Sequence, residues 1–368
     1  MTAPATDTRV QTLLTQLRTL IAADGPITVA HYMAACLFDP KHGYYSRYVR
    51  LGARGDFVTA PEVSQMYGEL IGLMCVQIWQ QMGAPDTVHL IEMGPGRGVL
   101  MADLLRAAGV QPAFLEAAHI HLVEMSTPLR KEQAHHLKGL SANLQWADSL
   151  RDVLPGPCII IGNEFLDCLP IRQFVRTAMG WRERLVSLDD AGELIFVLSE
   201  QRIASDSMIP PRLRDAPEGS LVEVCPQMGA VIDSVAKRLK SHPGVALFVD
   251  YGPSQSEVGD TLQAIVSQQK TDPLSYPGFC DITARVDFES VIAHAVEAGL
   301  YAHGPVPQGR FLKALGIDIR AANLIKTNPD KAADIAAAKS RLCDGDQMGH
   351  LFKVLGLSSQ GIPTLPGL

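Results

Sequence analysis

The sequence predicts an α/β protein. Its core is a mostly parallel, doubly wound sheet of seven strands, with an N-terminal helical extension and an inserted antiparallel β segment. Three observations predict it. From Val88 onward, short apolar strands alternate with helices, the sequence form of a parallel sheet. The first of those strands runs into a glycine-rich turn, "EMGPGRGVL". Between the fourth and fifth strands the alternation is broken by "IRQFVRTAMGWRERLVSLDDAGELIFVLSE", which reads as an antiparallel pair or trio.

The extension, residues 1–85, comes first. Leu13, Leu14, Leu17, Leu20 and Ile21 fall at helical spacing and Gly25-Pro26 stops them. "ITVAHYMAACLF" makes a second helix, with Thr28 as its cap. The loop "DPKHGYYSRYVRLGARGDFVTAPEVS" is long and rich in aromatics, which favours a functional lid. "EVSQMYGELIGLMCVQIWQQMG" reads as one amphipathic helix ending at Gly83. The main domain spans residues 86–368, with the insertion at about 171–220. Its strands are expected at Val88 to Glu92, His119 to Glu124, Asn143 to Trp146, Cys158 to Gly162, Val245 to Asp250, Leu300 to Pro305 and His350 to Leu355. Helices fit at Gly98 to Ala108, Pro128 to Leu137, Gln227 to Leu239 and Asp287 to Ala298.

Composition narrows the classes. The 368 residues can bury a sizeable core, and a net charge of -7 speaks against a broad nucleic-acid-binding surface. Seven scattered cysteines with no C-x-x-C pair argue against a zinc site and against a disulfide framework, so no metal is expected. No apolar run approaches a membrane span, and "MTAPATDTRVQTLLTQLRTL" has neither a signal-peptide core nor a good presequence composition. The expectation is a cytoplasmic protein of bacterial type, with no membrane insertion and with a homodimer left open.

The glycine loop is the sharpest motif. Gly94, Gly96 and Gly98 alternate, with Pro95 between the first two. Glycine serves where φ must be positive or a backbone must approach a ligand. A dinucleotide loop, G-x-G-x-x-G, wants its third glycine at position 99, which is Val99. A phosphate-binding P-loop would need Gly-Lys-Ser/Thr, which does not follow. The order acid-x-Gly-x-Gly-x-Gly resembles the first motif of Rossmann-like class I S-adenosylmethionine-dependent methyltransferases, in which an acid such as Glu92 meets the cationic part of the cofactor. A tight turn with no ligand remains the plain alternative.

Further acids stand at successive strand ends, where open α/β sheets bind ligands. Glu124 ends the second strand, placed for ribose hydroxyls, and Asp148 follows the third, where the resemblance to class I methyltransferases implies a contact with the adenine amino group. At the fourth strand end, "GNEFLDCLP" offers Asn163, Glu164 and Asp167 as catalytic candidates that could orient a nucleophile in line with a methyl carbon. Glu164 is the first choice. Asp56 and Glu62 are candidate substrate-binding acids or turn caps, Phe57 and Thr59 could close over the cofactor, and Tyr251 could line the cleft or sit in the core.

Together, "GDFVTAPEVSQMYGELIG", "EMGPGRGVLMADLLR", "GNEFLDCLPIRQF", "FVDYG", "DPLSYPGFCDITARVDF" and "MGHLFKVLGL" resemble the MidA-like methyltransferases, block by block and in order. Mitochondrial members of that family act as assembly factors for respiratory complex I. The resemblance implies S-adenosylmethionine as cofactor, protein arginine methylation, and a complex I subunit as protein substrate. Arg285, Cys168 and Val99 depart from the family pattern. An arginine acceptor suits the acids, because a guanidinium needs carboxylates to hold it. Two other readings stay open: an assembly chaperone on a methyltransferase fold, and a methyltransferase acting on a small molecule.

Overall fold

Local sequence sets the N-terminal elements. The computed structural model describes residues 7–46, 58–141, 143–362 and 364–368. Helix α1 (Thr8–Asp24) buries Leu13, Leu17 and Ile21 and ends at Gly25, whose φ is +86°. After the short strand β1 (Ile27–Thr28), the Thr28 hydroxyl accepts a hydrogen bond from the His31 amide at 3.0 Å and starts α2 (Val29–Phe38). The expected single helix beyond the lid loop is two helices, α3 (Ala60–Val63) and α4 (Gln65–Gln81). Ser64 breaks them: its backbone is extended, and its hydroxyl caps α4 by accepting from Met66 N at 3.2 Å.

The main sheet begins with β2 (Val88–Met93), followed by α5 (Val99–Ala108), α6 (Pro112–Ala117), β3 (Ala118–Val123), α7 (Thr127–His136), β4 (Leu144–Ala147) and β5 (Cys158–Asn163). Residues of β5 are all buried, so its sequence, "CIIIGN", is a continuous apolar run and not an alternation. The antiparallel insertion follows, with β6 (Arg172–Thr177), β7 (Gly180–Leu188), β8 (Leu194–Arg202) and β9 (Leu221–Val224). Strand β1 pairs with β7, which ties the N-terminal extension to this insertion. Then come α8 (Pro226–Ser241), β10 (Gly244–Tyr251), and a small sheet of β11 (Gln263–Val266), β12 (Gln269–Thr271) and β13 (Asp281–Thr283). The chain closes with α9 (Phe288–Glu297), β14 (Tyr301–Pro307), α10 (Gln308–Ala314), α11 (Ile317–Thr327), α12 (Ala332–Cys343), α13 (Met348–Leu351) and β15 (Phe352–Ser358).

The seven-stranded sheet has the order β14-β15-β10-β5-β2-β3-β4 and is mixed. Pairings from β10 to β4 are parallel, whereas β15 runs antiparallel to both of its neighbours. Strands β3 and β4 are added on one side of β2, and β5 and β10 on the other. The switch point therefore lies at β2 and β5, and a ligand crevice belongs at their carboxyl ends.

Two expectations are corrected. The last strand starts at Phe352, because His350 lies in α13. Helix α4 is not amphipathic but buried almost all round, since α5 covers one side of it. A Cβ on Gly68 would come within 2.7 Å of Asp103 Cβ, and one on Gly72 within 2.5 Å of the Leu104 carbonyl. Only glycine admits so close a helix approach. The helices α10 to α13, inserted between the last two strands, were not expected at all. They are tied to α4 by Arg320, whose guanidinium grips both Glu69 oxygens at 2.7 and 2.8 Å.

Candidate active site

A cleft of about 780 Å³ opens at the carboxyl ends of β2, β3, β4 and β5. Its walls hold Glu92, Gly94, Pro95, Gly96, Glu124 and Asp148 from the first three strand ends. Asn163, Glu164 and Asp167 come from the fourth, and Thr59 and Glu62 from the extension. Gly98 stands just behind the wall as the left-handed N-cap of α5, with φ at +82°.

Gly94 has a φ of +65°, and a Cβ there would lie 2.9 Å from Phe165 Cδ2. The space a side chain would fill is thus taken by the loop after β5, and the backbone itself faces the cleft. Glu92 is 3% exposed, and burial pushes its carboxyl up to about 8. Its Oε2 is buried with no hydrogen-bond partner among the described residues. A buried acid oxygen left without a donor costs stability unless a ligand supplies one. The amino group of S-adenosylmethionine would do so, and the residues present fit that cofactor.

Glu124 is already engaged by the protein. Its Oε1 accepts from Ser126 N at 2.7 Å and its Oε2 from Gln133 Nε2 at 3.3 Å, while burial raises its pKa. Gln133, fully buried, also donates to the Gly96 carbonyl at 2.7 Å and accepts from Trp146 Nε1 at 2.8 Å. It therefore joins the glycine loop to the end of β3. Asp148 is exposed and pairs with Arg130, which also donates to the Glu124 carbonyl at 2.7 Å.

The other half of the cleft gathers carboxylates. Glu164 has a φ of +49°, a conformation uncommon outside glycine and met at functional sites. Its Oε1 accepts from Ala60 N at 2.8 Å and Asn163 Nδ2 at 3.1 Å, and its Oε2 is buried with no partner among the described residues. Burial, reinforced by Asp250 and Asp281, pushes its carboxyl up to about 8. Asp167 is raised well above the carboxylate range by burial and by the charges of Asp250, Asp281 and Glu164. Asp250, fully buried, accepts from Leu166 N at 2.9 Å and Asp167 N at 3.2 Å, so it holds the loop that presents both acids. Asp281 lies at the start of β13, where Tyr45 OH donates to it at 3.1 Å. No group of three or more His, Cys, Asp or Glu among the described residues is placed to hold a metal ion.

Several candidates fare differently from the rest. Asp56 and Phe57 lie outside the described residues. Glu62 reaches the cleft, but Arg97 from the glycine loop covers its carboxylate at 3.3 and 3.4 Å. Tyr251 does not line the cleft. It sits behind the wall, with its hydroxyl donating to Thr283 Oγ1 at 2.7 Å. Sequence reasoning missed Tyr67, Gln133, Asp250 and Asp281. All but Gln133 had a signal, since each stands in a quoted block: Tyr67 in "SQMYGELIG", Asp250 at the end of "FVD" and Asp281 in "FCDIT".

A family model described as "Putative S-adenosyl-L-methionine-dependent methyltransferase" matches residues 70–306. The chain is 36% identical over 367 residues to the mitochondrial protein arginine methyltransferase NDUFAF7 of Danio rerio, covering 93% of this chain and 86% of that protein. To the Homo sapiens protein of the same name it is 34% identical over 375 residues, with 95% and 83% covered. A crystal structure of a Burkholderia thailandensis protein bound to S-adenosyl-homocysteine matches with a TM-score of 0.86 at 31% identity, covering 98% of this chain and 95% of that one. The expectation of a cytoplasmic protein is overturned by the curated relatives, which are named as mitochondrial. Among the described residues no helix is long and apolar enough to cross a membrane. From the glycine loop, the buried acid before it and these matches along nearly its whole length, the chain belongs to the S-adenosyl-L-methionine-dependent methyltransferase family.

Proposed function

We propose that the chain methylates arginine side chains of a protein, and that a subunit of respiratory complex I is the acceptor. The observation that carries this reading is Glu164 Oε2, buried and without a donor among the described residues, in a wall that also holds Asp167 and Asp281. A guanidinium supplies the positive charge and the paired N–H groups that such a wall lacks. The names of the relatives support the same acceptor chemistry.

Glu92 and the Gly94 to Gly98 loop would hold the amino-acid part of the cofactor, Glu124 its ribose and Asp148 its adenine. When bound, the cofactor supplies an electrophilic methyl group on a sulfonium. Glu164 would orient the guanidinium, and its Oε2 would take up the proton that the nitrogen loses when its bond to the methyl group replaces the methyl–sulfonium bond, S-adenosylhomocysteine being the leaving group. A carboxyl poised at about 8 suits that transfer near neutral pH, and an arriving cation favours its ionised form. The described part of the extension acts as a lid: Phe38, Tyr45, Thr59 and Pro61 all face the cleft from it.

The test compares respiratory complex I from cells with and without the chain by mass spectrometry. At least one arginine methylation is expected to vanish and to return on complementation. An unchanged arginine methylation pattern, with binding of S-adenosylhomocysteine intact by titration calorimetry, would overturn the acceptor and leave the cofactor standing.

A further inference from the structure

We propose that Tyr67 is a positioning residue for Glu164, acting through Asn163: its hydroxyl fixes the Asn163 amide so that the amide donates to Glu164 Oε1 and leaves Oε2 facing the acceptor. The inference rests on the reading of Glu164 given above for its consequence in turnover, though not for its structural part.

Tyr67 lies on α4 and is fully buried. Its hydroxyl donates to Asn163 Oδ1 at 2.5 Å. The phenol keeps its proton, because burial and the neighbouring Glu164, Asp250 and Glu92 raise it well above its ordinary range, so the hydroxyl has a proton to donate to the amide oxygen. With the amide oxygen taken, the NH2 group must point the other way, and it meets Glu164 Oε1 at 3.1 Å. The Ala60 amide, at 2.8 Å, is a second donor to the same oxygen. Among the described residues, one carboxylate oxygen thus carries two donors and the other carries none. The Glu164 backbone is pinned as well, its N–H donating to the Val249 carbonyl at 2.8 Å.

Without the Tyr67 hydroxyl only Glu164 itself orients the amide, which is free to turn over once that carboxyl is protonated. The Asn163 carbonyl oxygen would then face Glu164 Oε1, an arrangement that suits only a protonated carboxyl. The charged and titratable groups around Glu164 are Asp167 on its own loop, Asp250 on β10, Asp281 on β13, Tyr67 on α4 and Glu92 on β2. Asp250 and Asp281 raise Glu164 with or without the hydroxyl, so a change on its removal reports the amide.

The experiment is a pH titration of the glutamate side-chain carboxyls by 13C NMR in the full chain, with Glu164→Gln identifying the resonance. In Tyr67→Phe the Glu164 midpoint is expected to rise by about one pH unit. Asn163→Ala should raise it similarly, and Tyr67→Phe should then add nothing. An unmoved midpoint in Tyr67→Phe overturns the proposal, as does a full shift that persists without Asn163. Should Tyr67→Phe fail to fold, an unmoved midpoint in Asn163→Ala overturns it. In turnover, Tyr67→Phe should lower kcat about tenfold at neutral pH, with the KM for S-adenosylmethionine unchanged and the acid limb of the pH profile moved up about one unit. Wild-type protein that shows the NMR behaviour but methylates no arginine would sink the proposed function and leave the positioning role standing.

Discussion

At the end of the cleft formed by β2, β3 and β4, the protein answers most of its own acids. Ser126 and Gln133 hold Glu124, and Arg130 holds Asp148. At the end formed by β5, β10 and β13, four carboxyl groups stand together with mainly backbone amides as donors; burial pushes up Glu164, Asp167 and Asp250, and neighbouring acids add to the rise of the first two. The first end is a shaped cradle whose charge is mostly settled before a ligand arrives. The second stores unfavourable electrostatics that a bound cation would relieve, which is a familiar way for a protein to favour one charge state of its substrate. Glu92 is the exception in the first half, and it marks the place where the cofactor's own positive charge belongs.

The largest effect should come from the half that stores charge. Glu164→Gln removes the ionisable oxygen and keeps the shape, so methyl transfer to the proposed acceptor should fall about 10³-fold while the dissociation constant for S-adenosylhomocysteine holds. The wild-type rate should also depend on pH in a fixed direction. Burial pushes Glu164 up to about 8, so its ionised fraction, and with it the rate, should rise from pH 6 toward pH 8 and level off above. The Gln variant should show no such rise. A rate profile that is flat in the wild type would erase the contrast between the two halves.

A smaller effect, on binding instead of turnover, is expected in the cradle. Gly94→Val must place a β-branched residue at a φ of +65° with its Cβ 2.9 Å from the Phe165 ring. Affinity for S-adenosylhomocysteine should drop about 100-fold in titration calorimetry. If Gly94→Val bound normally, the loop would be a turn and not a cradle.

The same division decided what could be read from sequence. The cradle is assembled from consecutive residues on successive strand ends, so Glu92, the glycines, Glu124 and Asp148 could be placed by motif and alternation alone. The parallel core was legible for the same reason, because strands buried on both faces advertise themselves as apolar runs such as "CIIIGN". The acid-rich half converges from β5, β10 and β13, and no spacing rule links Glu164 to Asp281. Gln133 was invisible, since a polar residue on a helix carries no sign that it is buried and bonded across the fold, and Tyr67 had only its place in a quoted block. Helices α10 to α12 escaped because they are inserted between two strands and lie in none of the quoted blocks, although they pack into the same hydrophobic core as α4. Tyr251 misled in the opposite sense: a tyrosine just past a strand end can face the cleft or the core, and only the Thr283 contact decides.

The smallest effect separates two acids within the cradle. Asp148 is 76% exposed in its side chain and paired with Arg130, so its charge is screened by water and already answered. Asp148→Asn should weaken S-adenosylhomocysteine by less than about fivefold, because an exposed pair contributes little and Asn keeps an acceptor for an amino group. Glu124→Gln should cost more than that, although the two acids end adjacent strands. Glu124 is largely buried and its two oxygens are fixed by Ser126 N and Gln133 Nε2. A Gln side chain puts an NH2 where one of those donors now points, and two donors facing each other in a buried site force the loop to move. Equal losses in the two variants, measured side by side by calorimetry, would mean that burial does not grade the cradle and that the adenine end is held as firmly as the ribose end.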